Sequence, residues 1–194
     1  MKKDIILCGV GGQGILSIAT VIAQAATATG INLKQAEVHG MSQRGGDVQS
    51  HLRLSTDEIW SDLIPKGKAD LVISMEPMES LRYLEYLSAD ATVISSSTPF
   101  VNIPNYPDEA HLESEIKKLP STITADIEEI AKSNNMPKGA NMVLLGMAAS
   151  KLEIISPEAL RDAIGSIFAR KGEEIVDANK KAFDLGMKAA KNEL

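Results

Sequence analysis

The chain has 194 residues and a formal net charge of −6 at pH 7, and 44% of its residues are hydrophobic. This length and composition predict one globular domain over residues 1–194, and the acidic balance with scattered basic residues argues against nucleic acid as a partner. The single cysteine, Cys8, excludes disulfides, cysteine-held zinc and iron–sulfur clusters within the chain, and the lack of a long apolar run predicts a cytoplasmic protein without membrane contact.

The chain begins with an apolar run that ends in a glycine motif. Residues 4–8 predict a buried strand containing Cys8, residues 13–29 predict a helix, and residues 33–38 predict a second strand. The motif therefore lies at the first turn of a βαβ unit, where backbone N–H groups and the helix start can bind a phosphate. The candidate cofactor-binding residues of this turn are Gly9, Gly11, Gly12, Gln13 and Gly14. The alternative is that the glycines only allow the helix to pack closely on the sheet.

A loop without helical or strand periodicity follows the second predicted strand. Its candidate cofactor-binding residues are Glu37, Gln43, Arg44, Gly45 and Gly46. Glu37 stands near the position of a ribose-binding acid, and the planar charged fork of Arg44 suits a phosphate or carboxylate. A surface arginine in a tight turn remains an equal alternative for Arg44. For Glu37 and His39 we favour a structural hydrogen-bonded pair over proton transfer.

The next segments alternate and then become continuously apolar. Alternation over residues 47–54 predicts a strand with His51 and Arg53 on a face toward solvent or a partner, and residues 58–60 are expected to complete a hairpin with it. Residues 69–75 and 91–95 predict buried strands, with a helix between them through Leu87. We expect Glu76 or Glu79 to cap that helix and to pair with Arg82.

The second half of the chain is predicted to be mainly helical. Residues 98–122 are rich in proline and asparagine and have no clear period, but helical patterns begin near Thr124, Ala140 and Ser156, and a last one covers residues 173–191. Asn141 is expected to cap its helix rather than to bond a neighbouring loop. Together the elements predict a doubly wound α/β fold, with a mostly parallel sheet, a β-hairpin insertion and C-terminal helices.

The sequence has no catalytic motif of its own. A nucleophile elbow, a Walker lysine pattern, a zinc-binding helix and a metal–diphosphate motif for thiamine are all absent from it. We therefore predict no catalytic or metal-ligating residue in this chain.

Four stretches of the sequence form a specific combination. They are Gly9-Val-Gly-Gly-Gln-Gly14-Ile-Leu, Glu37-Val-His-Gly-Met-Ser-Gln-Arg-Gly-Gly46, Ser50-His-Leu-Arg53 and Asn141-Met-Val-Leu-Leu-Gly146. In this combination the chain resembles the gamma-type subunit or domain of the 2-oxoacid:ferredoxin oxidoreductases, and the similarity covers most of its length. Within that family it is most similar to the beta subunits of the indolepyruvate ferredoxin oxidoreductases.

The resemblance implies a Rossmann-like accessory subunit, a single gamma-type domain over residues 1–194 that is inactive alone. A large partner subunit is then expected to carry thiamine diphosphate and iron–sulfur clusters and to pass electrons to ferredoxin. The complex would convert an aryl 2-oxoacid and coenzyme A into acyl-CoA, CO2 and reduced ferredoxin. The glycine turn and the Arg44 loop would be available for coenzyme A phosphates or for the intersubunit surface. Two alternatives stay open, namely a free-standing NAD-binding dehydrogenase and a structural subunit with no bound nucleotide.

Overall fold

The fold is taken from a computed structural model, which describes residues 1–39, 46–119 and 121–193. Its strands are β1 (Lys2–Val10), β2 (Asn32–His39), β3 (Asp47–Ser55), β4 (Ala69–Ser74), β5 (Leu87–Ser96) and β6 (Thr122–Ala125). Its helices are α1 (Ile15–Ala28), α2 (Pro77–Leu81), α3 (Glu109–Lys117), α4 (Ile127–Ser133), α5 (Ala140–Leu152), α6 (Pro157–Phe168) and α7 (Glu173–Ala189), with 3-10 turns at Leu84–Tyr86 and Ala169–Lys171. None of the helices in this part of the chain is long and apolar enough to cross a membrane.

One six-stranded sheet organises the fold, in the order β2-β3-β1-β4-β5-β6. Strands β1, β4, β5 and β6 run parallel, whereas β3 pairs antiparallel with both β1 and β2. The predicted α/β class, with a mostly parallel sheet, a hairpin insertion and C-terminal helices, is confirmed. The hairpin itself differs from the prediction, because β3 pairs with β2 and residues 58–60 form no strand. With β1 on one edge of β3 and β2 on the other, β3 has no free edge for a third partner.

The sheet buries apolar side chains on both faces. In β1, Ile5 and Leu7 belong to a large core shared with α1 and the C-terminal helices, whereas Ile6 and Cys8 belong to a smaller core on the other face. This alternation is the two-residue period of a strand buried on both sides. Cys8 is fully buried, as predicted, and its burial raises the pKa of the thiol well above its usual range.

Helix α5 forms the centre of the C-terminal helical layer. It is apolar on nearly every side, and α7 crosses it at very short range. A Cβ atom on Gly146 would lie 2.0 Å from the carbonyl oxygen of Phe183, and one on Gly186 would lie 1.9 Å from that of Val143. The two helices therefore approach each other through reciprocal glycines, each facing the backbone of the other helix.

Three regions depart from the predicted elements. The helix expected through Leu87 ends at Leu81, because Leu87 already begins β5 beside Ala69. The segment that lacked a clear period contains α3, which starts after Asp108, whose carboxylate accepts a hydrogen bond from the N–H of His111 at 3.2 Å. The helix expected to begin near Thr124 begins at Ile127, because Thr122–Ala125 pairs with β5 as the unpredicted strand β6. The helices predicted near Ala140 and Ser156 and over residues 173–191 are confirmed, and the Ser156 side chain caps α6.

Candidate functional site

The glycine turn joins β1 to α1 through two residues in the left-handed region. Gly12 has φ of +103° and Gly14 has φ of +85°, a conformation that disfavours any side chain. The N–H of Gly11 donates to the carbonyl of Gly46 at 2.8 Å, which brings the end of the following loop against the turn. Gly46, one of the candidate residues of that loop, therefore lies beside the glycine turn.

The Gln13 side chain points back into the protein. Its Oε1 accepts a hydrogen bond from the N–H of Val10 at 2.7 Å, and its Nε2 donates to the carbonyl of Met75 at 3.3 Å. The amide thus links the carboxyl ends of β1 and β4 and fixes the shape of the turn. Any contribution of Gln13 to ligand binding comes through this shaping of the turn or through its backbone.

Helix α1 begins at the turn with open backbone donors. Gly14 occupies the N-cap position, and no side chain caps the helix. Within the described part of the chain, the N–H groups of Gly12, Gly14 and Ile15 donate to no other residue. Such groups carry the partial positive charge of a helix start and suit an anion.

Asn141 supports this turn from the C-terminal half of the chain. Its Nδ2 donates to the carbonyl of Gly14 at 3.2 Å, across 127 positions of sequence. The prediction that it caps α5 is wrong, since Gly139 occupies the N-cap position there and Asn141 lies inside the first turn. Because Gly139 holds the N-cap position, the Asn141 side chain is available to bond the neighbouring glycine turn. Bonding to a neighbouring loop was the less favoured of the two roles considered for Asn141 from the sequence.

The turn opens onto a cleft of about 600 Å³. Besides Gly11 to Gly14, the residues that matter for its chemistry are Phe100, Glu128, Lys132, Lys138 and Asn141. Two ammonium groups against one carboxylate, next to the start of α1, favour an anionic ligand. Lys132 and Lys138 belong to no recognisable sequence motif, so sequence reasoning missed them. The folding of α4 and α5 over the sheet brings them to the glycine turn.

A buried carboxylate positions Phe100 at this cleft. Glu76 is fully buried, and its Oε2 caps α2 by accepting from the N–H of Glu79 at 2.8 Å. Its Oε1 accepts from the N–H of Phe100 at 3.3 Å and from the hydroxyl of Tyr106. Burial and this hydrogen bond raise the pKa of Tyr106 above its usual range. The predicted capping role of Glu76 is confirmed, and its hold on Phe100 is a role that sequence reasoning missed.

Glu79 makes the predicted pair with Arg82. Its Oε2 lies 2.9 Å from Arg82 Nε, but the two groups are not aligned as a hydrogen bond, so the contact is an ion pair. Burial raises the pKa of Glu79, and the charge of Arg82 opposes that rise.

The remaining predicted site residues lie away from the turn or outside the described residues. Glu37 lies on β2, which is separated from β1 by β3. It is therefore two strand spacings, roughly 10 Å, from β1, and not on the strand next to β1. Its carboxylate accepts from Gln35 Nε2, which also donates to Ser50 Oγ at 3.0 Å. Gln43, Arg44 and Gly45 lie outside the described residues, as does the side chain of His39, so the roles proposed for them stay predictions.

His51 and Arg53 were expected on a face toward solvent or a partner, but both side chains bond the backbone of the following segment of the same chain. His51 is buried, and its Nδ1 accepts from the N–H of Ile64 at 3.0 Å, so burial lowers its pKa. Arg53 lies directly opposite Asp4 in the β1–β3 register and forms a forked contact with its carboxylate. The face is covered because the following segment folds back over it through Ser61, Leu63 and Ile64. No group of three or more possible metal ligands occurs among residues 1–39, 46–119 and 121–193.

Comparison with known proteins places this arrangement in a family. The model of the family described as pyruvate ferredoxin/flavodoxin oxidoreductase matches residues 4–189. The chain belongs to this family. This membership confirms the resemblance that the sequence motifs showed. It also confirms the oxidoreductase class that the resemblance implied.

Full-length relatives in this family are separate subunits. The chain is 36% identical to indolepyruvate oxidoreductase subunit IorB of Pyrococcus horikoshii, with 100% of this chain and 99% of the relative covered. It is 34% identical to the subunit of the same name from Archaeoglobus fulgidus, with 98% and 96% covered. These relatives support the subunit prediction and not the free-standing dehydrogenase.

Solved structures in the family share the fold. The gamma subunit of a keto/oxoacid ferredoxin oxidoreductase from Geobacter sulfurreducens matches with a TM-score of 0.70 and 24% identity, over 98% of this chain and 99% of that one. A 2-oxoglutarate:ferredoxin oxidoreductase from Magnetococcus marinus, solved with 2-oxoglutarate, coenzyme A and succinyl-CoA, matches with a TM-score of 0.77 and 22% identity. This chain covers only 31% of that longer chain.

Proposed function

We propose that the chain is the accessory subunit of an indolepyruvate-oxidising 2-oxoacid:ferredoxin oxidoreductase, with residues 1–194 forming one gamma-type domain. The identity of more than a third to a subunit named for indolepyruvate, over the full length of both chains, supports this substrate. The complete enzyme converts the aryl 2-oxoacid and coenzyme A into acyl-CoA and CO2 and reduces ferredoxin. A large partner subunit supplies thiamine diphosphate and iron–sulfur clusters, for which this chain with its one cysteine has no ligand set.

The role of this chain is to hold coenzyme A phosphates at the glycine turn. The observation that carries this proposal is that Gly12 and Gly14, whose N–H groups donate to no described residue, line the same cleft as Lys132 and Lys138. The residues fit an anionic group, because backbone donors and two ammonium groups outnumber the single carboxylate of Glu128. Asn141 and Gln13 keep the turn in shape, since each bonds a carbonyl or N–H of the turn or its flanking strand. The Arg44 loop, whose end meets Gly11, is proposed to add its guanidinium to the same ligand.

Calorimetric titration of the chain with coenzyme A and with NADH tests this role. We expect coenzyme A to bind more tightly than NADH and its affinity to fall with rising salt, because exposed charges are screened. Lys138→Ala and Lys132→Ala should each weaken coenzyme A binding by about 5- to 10-fold, the loss of one partly exposed charge contact.

Lys117→Ala is the matched control for these variants. Lys117 is also exposed, pairs with Glu113 on α3 and does not line the glycine cleft. We expect this variant to bind coenzyme A as the wild type does. Tighter binding of NADH would instead favour the dehydrogenase alternative, and binding of neither ligand would leave a structural subunit.

A further inference from the structure

Phe100 supplies an aromatic ring to the glycine cleft. It is 42% exposed, and among the described residues that line this cleft it is the one aromatic residue. Its side chain is therefore open to a ligand rather than committed to the core. Half-exposed aromatic rings at a ligand cleft are suited to hold a planar group against their face.

Buried groups fix the backbone that carries this ring. The N–H of Thr98 donates to Ser96 Oγ at 3.2 Å, directly after the end of β5. The N–H of Phe100 donates at 3.3 Å to Oε1 of Glu76, which is fully buried and also accepts from the Tyr106 hydroxyl. Because this backbone is ordered without a ligand, binding against the ring costs little further ordering.

The order of the strands separates Phe100 from the phosphate end of the cleft. The glycine turn follows β1, whereas Phe100 follows β5, and β4 lies between these two strands. The three strands are parallel, so their carboxyl ends lie at one edge of the sheet, with β1 and β5 two strand spacings or roughly 10 Å apart. A ligand whose phosphates lie at the glycine turn therefore meets Phe100 with another part of its structure.

The charges near the two ends of the cleft differ in sign. Lys138 precedes Asn141, whose amide bonds the carbonyl of Gly14, so a positive charge belongs to the end with the glycine turn. At the other end, the carboxylate of Glu76 contacts the backbone of Phe100. Its negative charge disfavours a phosphate there and favours a neutral group.

Coenzyme A has two neutral parts on either side of its diphosphate, the adenine base and the pantetheine arm. The face of an aromatic ring fits the planar base better than the flexible arm, because stacking needs two flat surfaces.

We propose that Phe100 forms an adenine subsite, in which its ring stacks on the base of coenzyme A while the diphosphate lies at the glycine turn. Glu76 and Tyr106 are positioning residues, since they act on the ligand through the backbone of Phe100. The inference rests on the proposed function, because it takes the phosphate site at the glycine turn from there.

Calorimetric titration with fragments of coenzyme A tests the subsite. ADP contains the base and the diphosphate, whereas 4′-phosphopantetheine contains the arm and a phosphate but no base. We expect Phe100→Ala to weaken the binding of coenzyme A and ADP roughly 10-fold, the effect of losing one stacked ring. The same variant should bind 4′-phosphopantetheine as the wild type does. Phe100→Tyr, which keeps a ring, should retain the affinity for ADP.

Val101→Ala is the matched control for Phe100→Ala. Val101 is the next residue along the chain and is 67% exposed, but it lines the neighbouring cavity and not the glycine cleft. We expect this variant to bind coenzyme A and both fragments with wild-type affinity.

Proton NMR of bound coenzyme A reports stacking directly. The ring current of Phe100 should move the H2 and H8 resonances of adenine upfield when the wild-type chain is added. Phe100→Leu keeps an apolar side chain but has no ring, so it should abolish this shift.

A double-mutant cycle tests the positioning role of Tyr106. Tyr106→Phe removes only the hydroxyl that bonds Glu76, and we expect it to weaken ADP binding about 3-fold, the effect of losing one hydrogen bond. In the Phe100→Ala background the same change should have no effect, because Tyr106 acts through Phe100. Equal losses in both backgrounds would contradict the positioning role.

The outcomes separate this inference from the proposed function. Suppose that the wild-type chain binds coenzyme A but the adenine resonances do not shift, or that Phe100→Ala weakens 4′-phosphopantetheine as much as ADP. Either result overturns the adenine subsite and leaves the proposed function standing. Failure of the wild-type chain to bind coenzyme A contradicts both.

Discussion

Replacing Gly146 by alanine is expected to lower the free energy of unfolding by about 3 kcal/mol, the upper part of the range for overpacked cores. The added Cβ would lie 2.0 Å from the carbonyl oxygen of Phe183, an atom of the α7 backbone that no rotamer change can move. The helices would have to separate, which opens space around the buried α5. Gly186→Ala should have a similar effect, since its Cβ would lie 1.9 Å from the carbonyl oxygen of Val143. Urea unfolding followed by circular dichroism measures both losses.

Gly165→Ala provides the control, also within a helix. Its Cβ would meet only the end of Lys180, with Nζ at 3.1 Å and Cε at 3.2 Å, and that side chain can move away. Alanine there should be neutral or stabilising by about 0.5–1 kcal/mol, the helix preference of alanine over glycine. The double variant at Gly146 and Gly186 should cost less than the sum of the two single changes, because one separation of the helices accommodates both methyl groups. A wild-type midpoint for Gly146→Ala would contradict the close crossing.

Arg53→Ala is expected to destabilise the chain by about 3–5 kcal/mol, the usual cost of removing one partner of a buried ion pair. The carboxylate of Asp4 is fully buried, and Arg53 contacts it through Nε at 2.9 Å and Nη2 at 3.2 Å. Among the described residues, the half-exposed Lys2 is the one cation that would remain beside that charge. The carbonyl oxygens of Ser61 and Leu63 would lose their donor as well. Thermal and urea unfolding of the chain measure the loss.

Two further variants test the cause of this loss. Asp4→Leu combined with Arg53→Met should be less destabilising than Arg53→Ala alone, because no buried charge is then left without its partner. Arg161→Ala removes an arginine from an exposed pair with Asp184 and should cost no more than about 1 kcal/mol. If Arg53→Ala and Arg161→Ala lowered the free energy of unfolding equally, the burial of Asp4 would not be the cause of the large effect expected for Arg53→Ala.

Local patterns in the sequence were sufficient to predict most elements. Residues 4–8 and 69–75 were predicted as buried strands because continuous apolar runs bounded by glycine or proline have few other uses in a soluble fold. Helix α6 was predicted from Ser156 followed by proline, since this pair satisfies an N-cap and the first helical position. These signals involve residues close together in the sequence, so they do not depend on the rest of the fold.

Features that depend on distant residues could not be predicted in the same way. The alternation over residues 47–54 predicts a strand but not its neighbours, and the insertion of β3 between β1 and β2 moved Glu37 away from the glycine turn. The pairing of Arg53 with the buried Asp4 follows from their opposite positions in the β1–β3 register, which alternation alone does not fix. Likewise, Lys132 and Lys138 reach the cleft only through the placement of α4 and α5.

As an accessory subunit, this chain is proposed to require a partner for the reaction. The most direct test is the rate of indolepyruvate oxidation, measured with coenzyme A and a viologen electron acceptor, for the chain alone, for the co-purifying large subunit alone and for the two recombined. We expect no activity for the chain alone and coenzyme A-dependent activity when both are present. Oxidation of indolepyruvate by the isolated chain, or full coenzyme A-dependent activity of the large subunit without it, would contradict the accessory role.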